Sequence, residues 1–210
     1  MLKTRKISTD DKVLQFSSRK LGNTELIAGI IEGDPSAASQ FHYRYSAIIS
    51  RYVWRLLGVD DEHEDVLQQV LIGIISNLKT IKKPESLDSW VKSVTIRVVK
   101  HELRKRKKKR SIFRNAIAIE EDTSPDPNSP LKQAHIRSFY AILNKMPQDD
   151  RVVFVLKHLE GYSNEMIAEY CSYSVSTAKR RLERAKARFV EEAMTDYTLM
   201  SLLENGFEIK

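Results

Sequence analysis

The stretch Leu159-Glu160-Gly161-Tyr162-Ser163-Asn164-Glu165-Met166-Ile167-Ala168-Glu169-Tyr170-Cys171-Ser172-Tyr173-Ser174-Val175-Ser176-Thr177-Ala178-Lys179 reads as a glycine stop and two helices joined by a tight turn. Gly161 suits the end of the preceding helix. Ser163 and Ser174 stand where a hydroxyl can accept the unpaired amides of a helix start. Met166, Ile167 and Tyr170 form the inward face of the first short helix, and Ser172-Tyr173 forms the turn. The second helix carries Ala178, Leu182, Ala185 and Phe189 on one face, with Lys179, Arg180, Arg181, Arg184, Lys186 and Arg188 around the rest. This is the pattern of a helix-turn-helix, in which one helix braces another whose N-terminal residues can enter a major groove. Ser176, Thr177, Lys179, Arg180 and Arg184 are placed to reach bases and phosphates. Arginine suits bidentate pairing with guanine and lysine suits phosphate. The alternative is an ordinary solvated basic face on a helical bundle.

Upstream, Pro147 opens a helix whose buried face is Val152, Val153, Val155, Leu156 and Leu159, preceded by another over 134–145. The segment 111–130 differs in kind. Glu120-Glu121-Asp122 and prolines 125, 127 and 130 remove amide donors and disfavour helix, which marks a flexible linker. Before it, 24–31 reads as a short helix broken at Gly33-Asp34-Pro35, and 36–57 as a longer one ending at Gly58. Val66, Leu67, Val70, Leu71, Ile74, Ile75 and Leu78 form an apolar stripe at helical spacing, led by the acids Asp60, Asp61, Glu62, Glu64 and Asp65. The β-branched run in 89–103 alternates as a strand would, yet no partner strand is visible and it runs without a turn into His101–Arg110. It is read as helix. The expected fold is therefore all-α, with two small helical domains joined by a flexible linker. The divisions are 1–20 (polar extension), 21–110, 111–130 (linker), 131–193 and 194–210 (tail). The tail's Tyr197, Leu199, Met200, Leu202, Leu203 and Phe207 can pack on the second domain or on a partner, with packing preferred.

The charge is local. Of 35 basic residues against 28 acidic, Arg104–Arg110 supplies seven in an unbroken run, and without it the two signs balance. Such a patch is the footprint of phosphate contacts and counterion release. A solvated tail or an anionic membrane surface is the competing reading. No apolar run is long enough to span a bilayer and the start carries no signal-peptide block, so a cytoplasmic protein without membrane insertion is expected. The lone Cys171 allows neither an intrachain disulfide nor a paired-cysteine metal site.

The two halves together resemble a known family. Glu25-Leu26-Ile27-Ala28 through Gly33-Asp34, Tyr43-Arg44-Tyr45, Arg55-Leu56-Leu57-Gly58, Glu64-Asp65-Val66-Leu67-Gln68-Gln69-Val70 and Leu87-Asp88-Ser89-Trp90-Val91 resemble region 2 of the extracytoplasmic-function sigma factors of the bacterial sigma-70 family. Met146-Pro147, Arg151-Val152-Val153, Leu159 to Ser163, Ile167-Ala168-Glu169, Ser174 to Lys179 and Arg184-Ala185 resemble region 4. The resemblance covers about residues 21 to 190 and implies two partners, the core of RNA polymerase and promoter DNA. Region 2 would hold and melt the minus-10 element, and region 4 would read the minus-35 element. Asp65, Gln68 and Gln69 fall where the family contacts the polymerase. An anti-sigma partner is expected for many members. Melting also has a physical requirement, because extruded bases need stacking platforms beside cations. Trp90, Lys92, Arg97, Lys100 and the loop from Lys79 to Ser86 are candidates for that surface, with Arg104 in the basic run holding phosphates. Trp90 has the competing fate of core burial.

Some positions depart from the family. Gln69 stands for a usual Glu, Arg97 for an occasional Asn, Ser172 for a common Gly in the turn, Ser176 for a frequent Gly and Glu183 for an apolar or small residue. If the turn needs a positive φ, Ser172 carries a modest conformational cost. No catalytic centre is expected. There is no Gly-rich phosphate loop, the five histidines lack zinc-ligand spacing, and no cofactor is implied. A free-standing helix-turn-helix regulator, and a metal-dependent nuclease using Asp60–Asp65, are the rival readings.

Overall fold

The computed structural model describes residues 20–58, 62–114 and 130–204, and the side chains of 20–58, 62–108 and 134–200. The N-terminal extension, Asp60, Asp61, Glu120–Asp122, Pro125, Pro127 and Phe207 lie outside the described residues. Among those described there are helices and short 3-10 turns, and no strand.

The first module is α1 (Asn23–Glu32), α2 (Pro35–Leu57), α3 (His63–Asn77) and α4 (Leu87–Arg114). Asp34 accepts hydrogen bonds from the Ser36 and Ala37 amides and Pro35 opens α2, so the Gly33-Asp34-Pro35 break is also a well-made helix start. Phe41, Tyr45, Ile49, Tyr52, Val53 and Leu56 are then buried. Two 3-10 turns, Leu78–Thr80 and Pro84–Ser86, lead into α4. The β-branched segment is helical because its Val91, Val94, Ile96 and Val99 are buried where α4 packs on α2, α3, α6 and α7, and burial outweighs the small propensity loss. α4 carries on to Arg114, past the Arg110 limit expected for the first domain, so the basic run rides on a helix.

The apolar stripe of α3 is narrower than its sequence suggests. Val66, Val70, Ile74 and Leu78 are buried, but Ile75 is 58% exposed and lies with Ile72 on the outer face. A helix three to four residues per turn cannot point Ile74 and Ile75 at one neighbour. Ile75 thereby forgoes the about 2 kcal/mol that burial contributes at Ile74.

The second module is α5 (Pro130–Lys145), α6 (Gln148–His158), α7 (Asn164–Cys171) and α8 (Val175–Ala193), with α9 (Tyr197–Glu204) folded back on α5 and α8 and burying Leu199. The α6 helix stops at His158, three residues before Gly161, which holds a positive φ in the loop. Every residue from Asp150 to Leu156 is buried. A helix buried on all sides needs neighbours on all sides. One flank of α6 packs on α8, and the other on α2 and α4 of the first module. The buried apolar residues of both modules form one continuous cluster.

Candidate nucleic-acid interface

The second module builds its α7-turn-α8 unit from the caps the residues imply. The Ser163 hydroxyl accepts from the Met166 amide and the Ser174 hydroxyl from the Thr177 amide. Between them Ser172 sits at φ 56, ψ 47, in the left-handed region that a Cβ disfavours. The turn therefore does need the conformation that makes glycine the easy choice. Val175, Ser176, Lys179 and Arg180 are exposed at the start of α8, and Thr177 is half-buried with its hydroxyl 2.8 Å from that of Ser174.

Arg184 is placed differently. Its guanidinium donates two hydrogen bonds to Asp150, at 2.7 and 2.6 Å, and Arg181 donates a third at 3.3 Å. Asp150 is fully buried at the start of α6. The bond to Asp150 and the carboxylate's charge hold the Arg184 pKa above its ordinary value. Arg184 thus ties α8 to α6 while remaining half-exposed, and Lys179 and Arg180 are the cations that project outward.

The first-module candidates separate into three places. Asp65, Gln68 and Gln69 lie exposed along α3, beside the uncovered Ile72 and Ile75. Arg97 is exposed on α4, and Trp90 is partly buried against the core. Lys92, Lys100 and Arg104 face the second module. The Lys92 ammonium lies 5.8 Å from the ring centres of both Tyr162 and Tyr170. Lys100 is 4.6 Å from the Tyr173 ring centre, donates to its hydroxyl and pairs with Asp149 at 2.8 Å. Arg104 reaches the same Asp149 oxygen at 3.1 Å, and Arg181 of α8 takes the other oxygen at 3.1 Å. Burial pushes the Asp149 carboxyl up, but hydrogen bonds from Lys100 and Tyr173 and the charges of Lys100 and Arg181 outweigh it and hold it below its usual value.

The contact between modules has a second polar group around the end of α2. Arg151, only 3% exposed, donates to the Leu56 and Leu57 carbonyls at 2.8 and 2.9 Å and to Asn144. A cation there also meets the negative end of the α2 dipole. Glu160 pairs with Arg55 at 2.7 Å and Arg51 at 3.2 Å, and the Tyr52 and Tyr162 hydroxyls are hydrogen-bonded. Gly58 has two reasons to be glycine. Its φ is +81, and a Cβ would stand 2.6 Å from the Tyr140 ring.

Sequence reasoning passed over Asp149, Asp150, Arg151, Glu160, Ile72 and Ile75 as functional positions. One signal was available: Arg151-Val152-Val153-Phe154-Val155-Leu156 is too apolar for a helix with one solvent face. Cys171 is mostly buried and its thiol is pushed up to about 12 by that burial, which leaves it a poor nucleophile. Among the described residues no group of three His, Cys, Asp or Glu could hold a metal, and no helix is long and apolar enough to cross a membrane.

Two family descriptions match the chain: Sigma-70 region 2 over residues 43–109 and Sigma-70 region 4 over 136–189. The ECF RNA polymerase sigma factor EcfG of Rhodopseudomonas palustris is 26% identical over 133 residues, 63% of this chain and 72% of the relative. SigM of Mycobacterium tuberculosis, also an ECF RNA polymerase sigma factor, is 22% identical over 90% of this chain and 89% of its own. Among solved structures, the sigma factor RpoE from Bartonella quintana, held by the anti-sigma factor NepR, superposes with a TM-score of 0.56 at 21% identity, covering 75% of this chain and 97% of that one. CnrH in complex with the cytosolic domain of CnrY gives 0.53 at 18% identity, over 89% of this chain and 99% of that one. These structures share the fold.

Proposed function

The chain belongs to the sigma-70 family, in its extracytoplasmic-function group, and from that membership we propose how its two modules divide the work of promoter-specific transcription initiation. The first module, taken as 21–110, docks on core RNA polymerase through the outer face of α3. There the exposed Asp65, Gln68 and Gln69 precede the exposed Ile72 and Ile75 on one helix, polar groups beside an apolar patch that an interface can desolvate. Its α4 face, with Trp90, Lys92, Arg97, Lys100 and Arg104, holds the separated strands of the minus-10 element. The second module, taken as 131–193, reads the minus-35 duplex through Ser176, Thr177, Lys179 and Arg180, with Arg184 setting the seat of α8. Residues 111–130 link them. The polymerase supplies all bond making, no cofactor is needed, and the chain works in the cytoplasm beside its polymerase. An anti-sigma factor is a natural further partner, as the structural neighbour RpoE was captured with the anti-sigma factor NepR.

The observation that carries this reading is the capped α7-turn-α8 unit with an exposed cationic start, joined in one chain to a region 2 module. In vitro transcription with purified core polymerase on a genomic template library tests it. The chain should switch polymerase from unselective to promoter-selective initiation. Lys179→Glu with Arg180→Glu should abolish selectivity and leave polymerase binding intact. Arg184 is the wrong residue for this test, because reversal there also sets two carboxylates against each other at Asp150. Equal loss of selectivity and polymerase binding would contradict the division of roles.

A further inference from the structure

The face that the second module lays on the first has the chemistry of a single strand of nucleic acid. Tyr162, Tyr170 and Tyr173 present aromatic rings to lysine ammoniums, two of them to Lys92 and one to Lys100. Asp149 presents a carboxylate to Lys100 and Arg104 of α4, and Glu160 presents one to Arg51 and Arg55 of α2. A surface that binds melted DNA needs the converse set, cations for phosphates and room beside them for stacked bases. Lys92, Lys100 and Arg104 are that set, and in this structure each is already engaged by a ring or a carboxylate.

We propose that the α6–α7 face of the second module is an internal mimic of the melted strand, so that closure of the two modules and binding of single-stranded DNA by α4 exclude one another. The free chain is then self-blocked at Lys92, Lys100 and Arg104 of its minus-10 face, while Arg97, the outer face of α3 and the start of α8 stay open. Polymerase can be engaged first and the strand-binding face is released only when the modules part. The inference rests on the assignment of α4 as the strand-binding face made above.

Three observations give closure a built character. Arg151 is a buried cation that donates to two carbonyls of the other module. Glu160 is nearly inaccessible between two arginines of α2. Gly58 leaves the space that Tyr140 fills. The contacts to the Leu56 and Leu57 carbonyls, to Arg51 and Arg55, and of Gly58 with Tyr140 all cross between the modules, so they are made only in the closed form.

The test measures binding and shape together on the full chain. A fluorescein-labelled single-stranded DNA of mixed sequence, roughly 20 nucleotides long, is titrated by anisotropy at low salt, and small-angle scattering follows the radius of gyration. In the unmodified chain, binding should be weak and accompanied by expansion. Asp149→Ala with Glu160→Ala should be expanded from the start and bind about tenfold tighter, since apparent affinity falls with the fraction of competent conformer. Binding to a chain that stays compact would overturn the proposal, as would an expanded variant that binds no better. If the double variant loses helical circular dichroism, the unmodified chain's expansion on binding decides. If the unmodified chain shows no binding, the variant decides. Core polymerase capture by the same preparations reports separately on the assigned function. A chain that captures polymerase but fails the exclusion test loses this proposal alone, whereas one that fails to capture polymerase loses the function.

Discussion

Among the described residues two helices, α4 and α8, are rich in lysine and arginine, and the fold treats them in opposite ways. At the start of α8, Lys179 and Arg180 are exposed to solvent. On α4, Lys92, Lys100 and Arg104 lie under Tyr162, Tyr170, Tyr173 and Asp149. As strings of residues the two look alike. What separates them is the neighbour each acquires, which teaches that cationic composition marks where nucleic acid can bind but not when. The acids at the head of α6 show the same division at smaller scale. Asp150 turns inward to Arg184 of its own module, while Asp149 is shared between Arg181 and the two cations of α4.

The largest expected effect breaks the contrast at its root. Arg151→Met removes three side-chain hydrogen bonds and leaves two buried carbonyls of α2 without that partner, so it should lower stability by about 3 kcal/mol. The measurement is urea denaturation followed by circular dichroism, and a change below about 1 kcal/mol would mean the modules are not closed in solution.

The next effect compares the helices directly. Arg180→Glu should weaken binding of the free chain to a minus-35 duplex by about tenfold at low salt, whereas Lys100→Glu should leave that affinity within about threefold. Anisotropy titrations of the two variants settle it, and equal losses would show that α4 reads the duplex as well. A smaller gain is expected inside the α7–α8 turn. Ser172→Gly should raise stability by about 1 kcal/mol, because it relieves a side chain held at positive φ. A thermal melt that falls instead would mean the hydroxyl contributes more than the strain costs. Smallest of all, Cys171 should resist thiol-alkylating reagents at neutral pH, since its thiol is pushed up to about 12, and should become reactive only as urea opens the second module.

Much of this architecture is legible in the residues alone. Asp34-Pro35, Ser163 and Ser174 mark helix starts through local hydrogen bonds that depend on a few neighbouring residues, and each makes those bonds in the structure. Ser172 is legible as a strained turn for the same reason. Facing directions across the chain are less accessible. The stripe on α3 counts Ile74 and Ile75 alike, although adjacent residues on a helix diverge by about 100°. Nor does periodicity say that α6 lies between two modules, since its apolar residues could have been spent within one. Arg184 illustrates the limit at the candidate site. Its position on α8 suits DNA, but its bond to Asp150 depends on a residue 34 positions away.

The contrast between an open α8 and a covered α4 is tested most directly by lysine acetylation of the free chain, read by mass spectrometry at each position. Lys179 should react fast and Lys92 and Lys100 slowly, with the gap narrowing once the chain is loaded on polymerase at a promoter. Equal reactivity of the three lysines in the free chain would contradict the account.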